Sequence, residues 1–311
     1  MSGRAWLLLL TLSLVWGSTF VFADRALEEL PAVLVAWGRV ASGAFFLALM
    51  LLLAGQRWPR GWPRWRRYLA MGFLNNALPF TLIFAGQVEL GAAAAAILNA
   101  TTPTFTVLLA HMTTADERLT AGKAAGALLG FLGVALLIGL KQLSGLGAAL
   151  GPALLVLAGA FSYAVAGLYG RRFRGEPPLA TATGQVVCST LLLTPVALVL
   201  AEPWRVPMPS AEAWVSILAL GVLCTAFAYR LYFRILALAG ATNLLLVTLL
   251  LPPSAMGLQV LLLGRPVGWE ELAGFAVIAL GLAAIDGRPL GLLRKPAPAG
   301  RPQQSSRPAS P

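Results

Sequence analysis

Long apolar runs alternate along the chain with short polar or charged interruptions, ten times over. The runs cover 5–23, 31–54, 68–88, 91–112, 119–140, 147–169, 179–200, 213–238, 242–263 and 272–285. Most of them reach the ~20 residues that an α-helix needs to cross the hydrocarbon core of a bilayer. Ten-residue segments of strict apolar–polar alternation, the mark of a membrane β-barrel, are absent. The pattern predicts an all-α polytopic membrane protein with ten transmembrane helices.

The pattern also repeats itself. Gly91, Pro103, Gly126 and Gly133 recur as Gly240, Pro252, Gly274 and Gly281, at an offset of 149 residues for the first pair of landmarks and 148 for the last. Phe80 and Phe84 match Tyr229 and Phe233 at the same 149-residue offset. Five runs precede the connection 141–145 and five follow it, and an odd number per copy turns the second copy upside down in the membrane. Two inverted five-helix repeats, 1–140 and 141–287, are therefore expected, a plan on which alternating access is often built. Gly122, Gly126 and Gly130 lie four apart, so two helix backbones can meet closely along that face. The fifth span and its counterpart around Gly274 and Gly281 read as scaffold. The same face suits the pairing of two protomers, so a homodimer is left open.

Composition agrees with a membrane class. Hydrophobic residues make up 58% of the chain and charged residues 11%, with a mean hydropathy of +0.79, well below the quarter of charged residues usual in soluble domains. A net charge of +11 would suit nucleic acid, but its placement does not. With the N-terminus in the cytoplasm, 18 basic residues fall inside and four outside (Arg25, Lys141, Arg205 and Arg265), with Arg39 within a span. This bias points to a multi-pass protein of the cell inner (plasma) membrane with both termini cytoplasmic. Residues 1–23 read as a first span rather than a cleaved signal, since Trp16 and Phe20 stand where cleavage wants small residues. The stretch 288–311 reads as a basic, Pro-rich cytoplasmic tail without a core of its own. Cys188 and Cys224 fit no metal spacing and read as packing residues.

Particular residues carry a family likeness. Trp16-Gly17-Ser18-Thr19-Phe20 resembles the tryptophan-glycine start of EamA-type domains. The Pro31 to Arg39 spacing, Pro103, and Glu117 ahead of Gly126 and Gly133 are similar to the rest of that domain, and Pro252, Gly274 and Gly281 repeat it. The chain thus resembles the drug/metabolite transporter superfamily, EamA-type, over roughly 5–286, in two copies. The resemblance implies a pathway between the halves and export or exchange of small metabolites, often amino acids. Departures are visible: Arg265 stands where the first copy has Glu117, and Gln185, eight residues after Pro177, stands where it has Arg39.

Polar groups within spans are the candidates for the pathway. Arg39 lies eight residues beyond Pro31, roughly 12 Å into its helix, and a mid-membrane arginine costs about 2.5–3.5 kcal/mol unless it meets water or a partner. It either captures a substrate carboxylate or phosphate through its planar fork or is satisfied structurally. Asn75 and Asn76 near Pro79, and Asn99 and Thr102 beside Pro103, surround proline breaks that free backbone carbonyls. Asn243, Thr248 and Pro252 repeat that design, and Gln185 answers Arg39. Pro103 and Pro252 are read as paired helix breaks. Of the aromatic residues, Trp16, Tyr163 and Tyr229 suit a central site, while Trp37 is ambiguous. Interhelical hydrogen bonding explains the same amides without a ligand.

No acidic residue is expected in the middle of a span, and His111 sits near the cytoplasmic end of the fourth. Uniport or exchange without a proton-carrying carboxylate follows. Nucleotide loops, metal clusters and a nucleophile with a histidine partner are not found, so neither an enzyme nor a cofactor is expected. The leading expectation is a transporter of an amino acid or related small polar metabolite, with that substrate and the lipid bilayer as partners and no nucleic acid. Its rivals are a flippase of a lipid-linked intermediate and a non-transporting membrane scaffold.

Overall fold

The computed structural model of the chain describes residues 2–113, 120–138, 149–244 and 246–286, and its regular structure among them is entirely helical. In chain order, α1 spans Gly3–Leu27 and α2 Ala32–Leu53. α3 (Trp62–Gly72) passes through a π-helical turn, Phe73–Ala77, into α4 (Leu78–Asn99). α5 (Thr102–Thr113) and α6 (Ala121–Ile138) follow. α7 is Leu150–Tyr169 and α8 Pro178–Leu200. α9 (Ala211–Gly221) continues through a π-helical turn, Val222–Phe227, into α10 (Ala228–Leu244). α11 (Val247–Leu258) ends in a π-helical turn, Gln259–Leu263, and α12 is Trp269–Asp286.

Six helical stretches are long and apolar enough to cross a membrane: Gly3–Leu27, Ala32–Leu53, Trp62–Asn99, Leu150–Phe173, Pro178–Leu200 and Ala211–Gly240. Two shorter apolar stretches, Ala121–Leu137 and Val247–Leu263, accompany them. The outward surface is greasy, with Leu7, Leu53, Leu128, Leu200 and Leu261 exposed, as suits a surface in contact with lipid rather than water. The 38 residues of Trp62–Asn99 are not one straight rod. Gly91 leaves helical geometry at φ 78°, ψ 175°, and Gly240 does the same at φ 77°, ψ 166°. This is a conformation that glycine reaches without a Cβ penalty. The restarting helix after Gly91 has an orphan amide at Ala93, and Gln259 Oε1 accepts from it at 2.8 Å.

The matching pieces are more extensive than the sequence landmarks. The π-helical turns at Phe73–Ala77 and Val222–Phe227 stand 149 residues apart. Two packed helix pairs join corresponding elements of the two copies, α2 on α8 and α6 on α12, while α4 packs on α7 and α1 on α11. In the α6–α12 pair a Cβ on Gly126 would lie 2.5 Å from the Gly281 carbonyl, and one on Gly281 2.6 Å from the Gly126 carbonyl. Gly133 and Gly274 face each other in the same reciprocal way. The glycine face that suggested a homodimer is thus occupied within the chain, with Gly130 meeting Thr104 of α5.

Two expectations need correction. Pro252 is not at a break: it lies with Pro253 inside α11, whereas Pro103 does stand at an interruption, in the first turn of α5, where its missing N–H costs nothing. The conformational breaks that correspond across the repeat are the glycines, Gly91 and Gly240. The first span also runs further than expected. α1 continues to Leu27 and takes the buried Asp24 into its last turn, 7% exposed, still at the end of the span. Trp37, ambiguous from the sequence, packs within the scaffold, its indole N–H donating to Thr194 Oγ1 of α8 at 3.0 Å. Glu117, Lys141 and 288–311 lie outside the described residues.

Candidate functional site

A cavity of about 680 Å³ runs between the helices, and its walls gather residues from both halves. From the first half come Trp16, Arg39, Asn75, Asn76, Asn99 and Thr102. The second half contributes Tyr163, Gln185, Tyr229 and Thr248. Of the expected binding residues, Asn243 does not line it; its side chain turns back on its own helix, Nδ2 donating to the Ala239 carbonyl at 2.8 Å.

Arg39 is 6% exposed. Its Nε donates to Thr225 Oγ1 at 3.2 Å, and its guanidinium carbon lies 3.8 Å from the centroid of the Phe80 ring. Such a cation–π contact offsets part of the cost of taking the charge from water. Phe84 is a second, more distant ring at 5.9 Å. No carboxylate of the described residues pairs with Arg39, and its two terminal amino groups have no hydrogen-bond acceptor among them.

Gln185 anchors the matching arrangement. Its Nε2 donates to the Tyr229 hydroxyl at 3.0 Å, while Asn75 Nδ2 donates to the same hydroxyl at 3.2 Å and to Gln185 Oε1 at 3.4 Å. Neighbouring groups are left unmet: the buried Asn76 Nδ2 and Asn99 Oδ1 have no partner among the described residues. An unmet buried polar group costs about 1–3 kcal/mol. Thr102 is satisfied by the Asn99 carbonyl at 2.7 Å, one of the carbonyls freed where α4 gives way to α5. Trp16 tilts against Tyr232, and Tyr163 meets Phe80 edge-on. Gly17 beside Trp16 lets α1 approach the backbone of α11: a Cβ there would lie 2.7 Å from Ser254 Cβ and 3.0 Å from Ala255 N.

Sequence reasoning missed Thr225 and the rings that hold Arg39. Both were available in the repeat, since Thr225 occupies the place of Asn76 and Phe80 that of Tyr229. Cys224, read as packing alone, lines the cavity and lies 3.6 Å from Ser18 Oγ.

The cavity reaches one end of the bundle, where Gly170, Glu176 and Pro178 form part of its wall. There Glu176 accepts from the Tyr68 hydroxyl at 2.9 Å and pairs with Arg67 at 3.0 Å and Arg64 at 3.8 Å. At the other end, where α1 finishes, Arg265 pairs with the buried Asp24 at 2.7 Å and with Glu28 at 3.3 Å. Arg25 pairs with Glu212 at 3.2 Å there, and Glu29 accepts from the amide and hydroxyl of Ser210, the N-cap of α9. Among the described residues no group of His, Cys, Asp and Glu is arranged to hold a metal.

The sequence matches the EamA-like transporter family twice, over residues 3–139 and 150–285. It is 21% identical to the transporter YoaV of Bacillus subtilis over 280 residues, covering 88% of this chain and 94% of that one. It is 27% identical to the inner membrane transporter YedA of Escherichia coli K12 over 288 residues, 88% of this chain and 86% of the relative. A probable amino-acid metabolite efflux pump of Salmonella typhimurium is 25% identical over 291 residues, 91% and 94% of the two chains. A crystal structure with 21% identity superposes with a TM-score of 0.65 over 92% of this chain and 98% of its own, a likeness of fold. With family matches in both halves and an apolar helical body, this chain is a multi-pass membrane protein that belongs to the EamA-like transporter family, within the drug/metabolite transporter superfamily.

Proposed function

We propose that the protein is a carrier of the inner membrane, not an enzyme, that exports or exchanges an amino acid or related small polar metabolite by alternating access. In this reading ten transmembrane spans form two inverted five-helix repeats, 1–140 and 141–287, with both termini cytoplasmic and the central cavity as the substrate site. The observation that carries it is that one cavity collects Arg39, Asn75, Asn99, Gln185 and Tyr229 from the two copies. Placing a site between related halves lets either half rock about it. The glycine breaks support the count, because Gly91 divides a stretch too long for one crossing and Gly240 ends the corresponding one.

The reading is tested by counterflow. Purified protein in liposomes preloaded with a mixture of amino acids, organic anions and nucleosides should accumulate the labelled form of its substrate against empty-liposome controls. Absence of counterflow with all three classes would overturn it.

A further inference from the structure

We propose that the cavity selects a net monoanion, a small carboxylate with an apolar body, and that Arg39 is the residue that recognises it. The proposal rests on the carrier reading and names its substrate class. It starts from charge. Three charged side chains line the cavity among the described residues: Arg39, Arg174 and Glu176. Arg174 and Glu176 belong to the connection at the mouth, and Glu176 is already paired with Arg64 and Arg67. Arg39, on α2, stands deep against α4 and the π-helical turn before α10, with no acid of the described residues against it. A zwitterion bound there leaves one positive charge uncompensated in a low-dielectric interior; a monoanion brings the site to neutrality. Burial of an unpaired charge is the costlier outcome.

Geometry points the same way. The Phe80 face and Thr225 Oγ1 fix the Arg39 head through its plane and its Nε, leaving the two terminal amino groups for a planar, bidentate acceptor. A carboxylate matches that fork. A phosphate dianion would still carry one unneutralised charge. Asn76 Nδ2 offers a further donor, and Asn99 Oδ1 an acceptor suited to a hydroxyl or N–H on the ligand. Phe84, Tyr163 and Trp16 supply the apolar wall for the remaining body.

One series separates the possibilities: phenyllactate (one negative charge), its near-isosteres phenylalanine (the ammonium replacing the hydroxyl, net zero) and phenyllactamide (neutral), and the shorter phenyl phosphate. Binding is measured on the full-length protein in detergent by calorimetry. Phenyllactate should bind at least tenfold more tightly than phenylalanine and phenyllactamide. Arg39→Gln should abolish that preference and Arg39→Lys should keep part of it, with melting temperatures of the ligand-free variants showing that both fold. If Arg39→Gln does not fold, the phenyllactate-to-phenylalanine ratio of the native protein decides alone. Equal binding of phenylalanine, tighter binding of phenyl phosphate, no binding by any member, or an unchanged preference in a folded Arg39→Gln would each overturn the assignment. A counterflow screen that finds a cationic or neutral substrate overturns the substrate class and leaves the carrier; a screen that finds no substrate removes the carrier reading itself.

Discussion

Arg39 and Gln185 stand eight residues after Pro31 and Pro177, and each meets the aromatic residue that its own half supplies at the matching place. Arg39 lies on the Phe80 ring, and Gln185 donates to the Tyr229 hydroxyl. One geometry therefore carries two chemistries: a cation against a π-face, and an amide against a phenol. The sequence made Arg39, Gln185 and Tyr229 legible because polar groups inside apolar runs are few. It left Thr225 obscure, since a lone threonine in a helix satisfies itself on its own backbone. Thr225 does this too, donating to the Leu220 carbonyl at 2.9 Å while accepting from Arg39. Thr225→Val keeps the shape and removes the acceptor of a hydrogen bond from a charged group, a loss of about 1.5–3 kcal/mol. Substrate affinity in the counterflow assay should fall roughly tenfold or more by that measure. Glu29, in the turn between α1 and α2, makes a separate prediction. Hydrogen bonds from Ser210 hold its carboxyl below the usual carboxylate range, so their stabilisation is complete above the ordinary pKa and is lost as pH falls through the lowered one. The melting temperature of Glu29→Gln should lie below that of the native protein at pH 7, and the gap should close as the pH falls through the lowered titration of this carboxyl.

At the scale of elements, the apolar periodicity and the glycine landmarks carried most of the architecture. What they did not carry was which faces meet. Glycines four apart announce a close helix contact, but the partner is a tertiary fact. The structure assigns it to α12, with Gly126 against Gly281 and Gly133 against Gly274. The proline breaks were misjudged for a related reason. A proline needs only a missing N–H and room for its ring, so α11 absorbs Pro252 and Pro253, whereas Gly91 and Gly240 adopt positive φ values that few other residues tolerate. The end of α1 lies beyond the apolar run because Asp24 reads as the finish of that run, whereas the helix continues to Leu27 and Asp24 pairs with Arg265. Gly126→Ala would force a methyl within 2.5 Å of the Gly281 carbonyl, and overpacking of this kind costs about 1–3 kcal/mol. Gly122→Ala, whose nearest neighbour is the Ala284 carbonyl at 3.4 Å, should cost far less. A lowered melting temperature in detergent for the first variant and little change for the second would bear out the contact; equal shifts would refute it.

For the molecule as a whole, the two ends of the cavity are closed unequally. The wall extends to Gly170, Glu176 and Pro178 at one end, while at the other the Asp24–Arg265 pair ties α1 to the segment between α11 and α12. Gln259 holds the Ala93 amide and Gln87 Nε2 donates to the Phe20 carbonyl at 2.6 Å, adding further ties between helices. In the proposed alternating-access cycle, access from the Arg265 end would require breaking that ion pair, one of whose partners is half-exposed. A pair of that kind contributes about 1 kcal/mol at most, so its loss should shift the balance of states roughly fivefold. Cys224 reports the shift because it lines the cavity, whereas Cys188 belongs to the separate cluster around Tyr68 and Phe173. In a Cys188→Ser background, Arg265→Gln should raise the rate at which an impermeant maleimide applied from the Arg265 side modifies Cys224, by about fivefold. The exchanged pair Asp24→Arg with Arg265→Asp should return the rate toward that of the parent. Labelling that ignores Arg265 would mean that the closure lies in the helix packing itself, in the approach of Gly17 to Ser254 and Ala255, and not in the charges that sit above it.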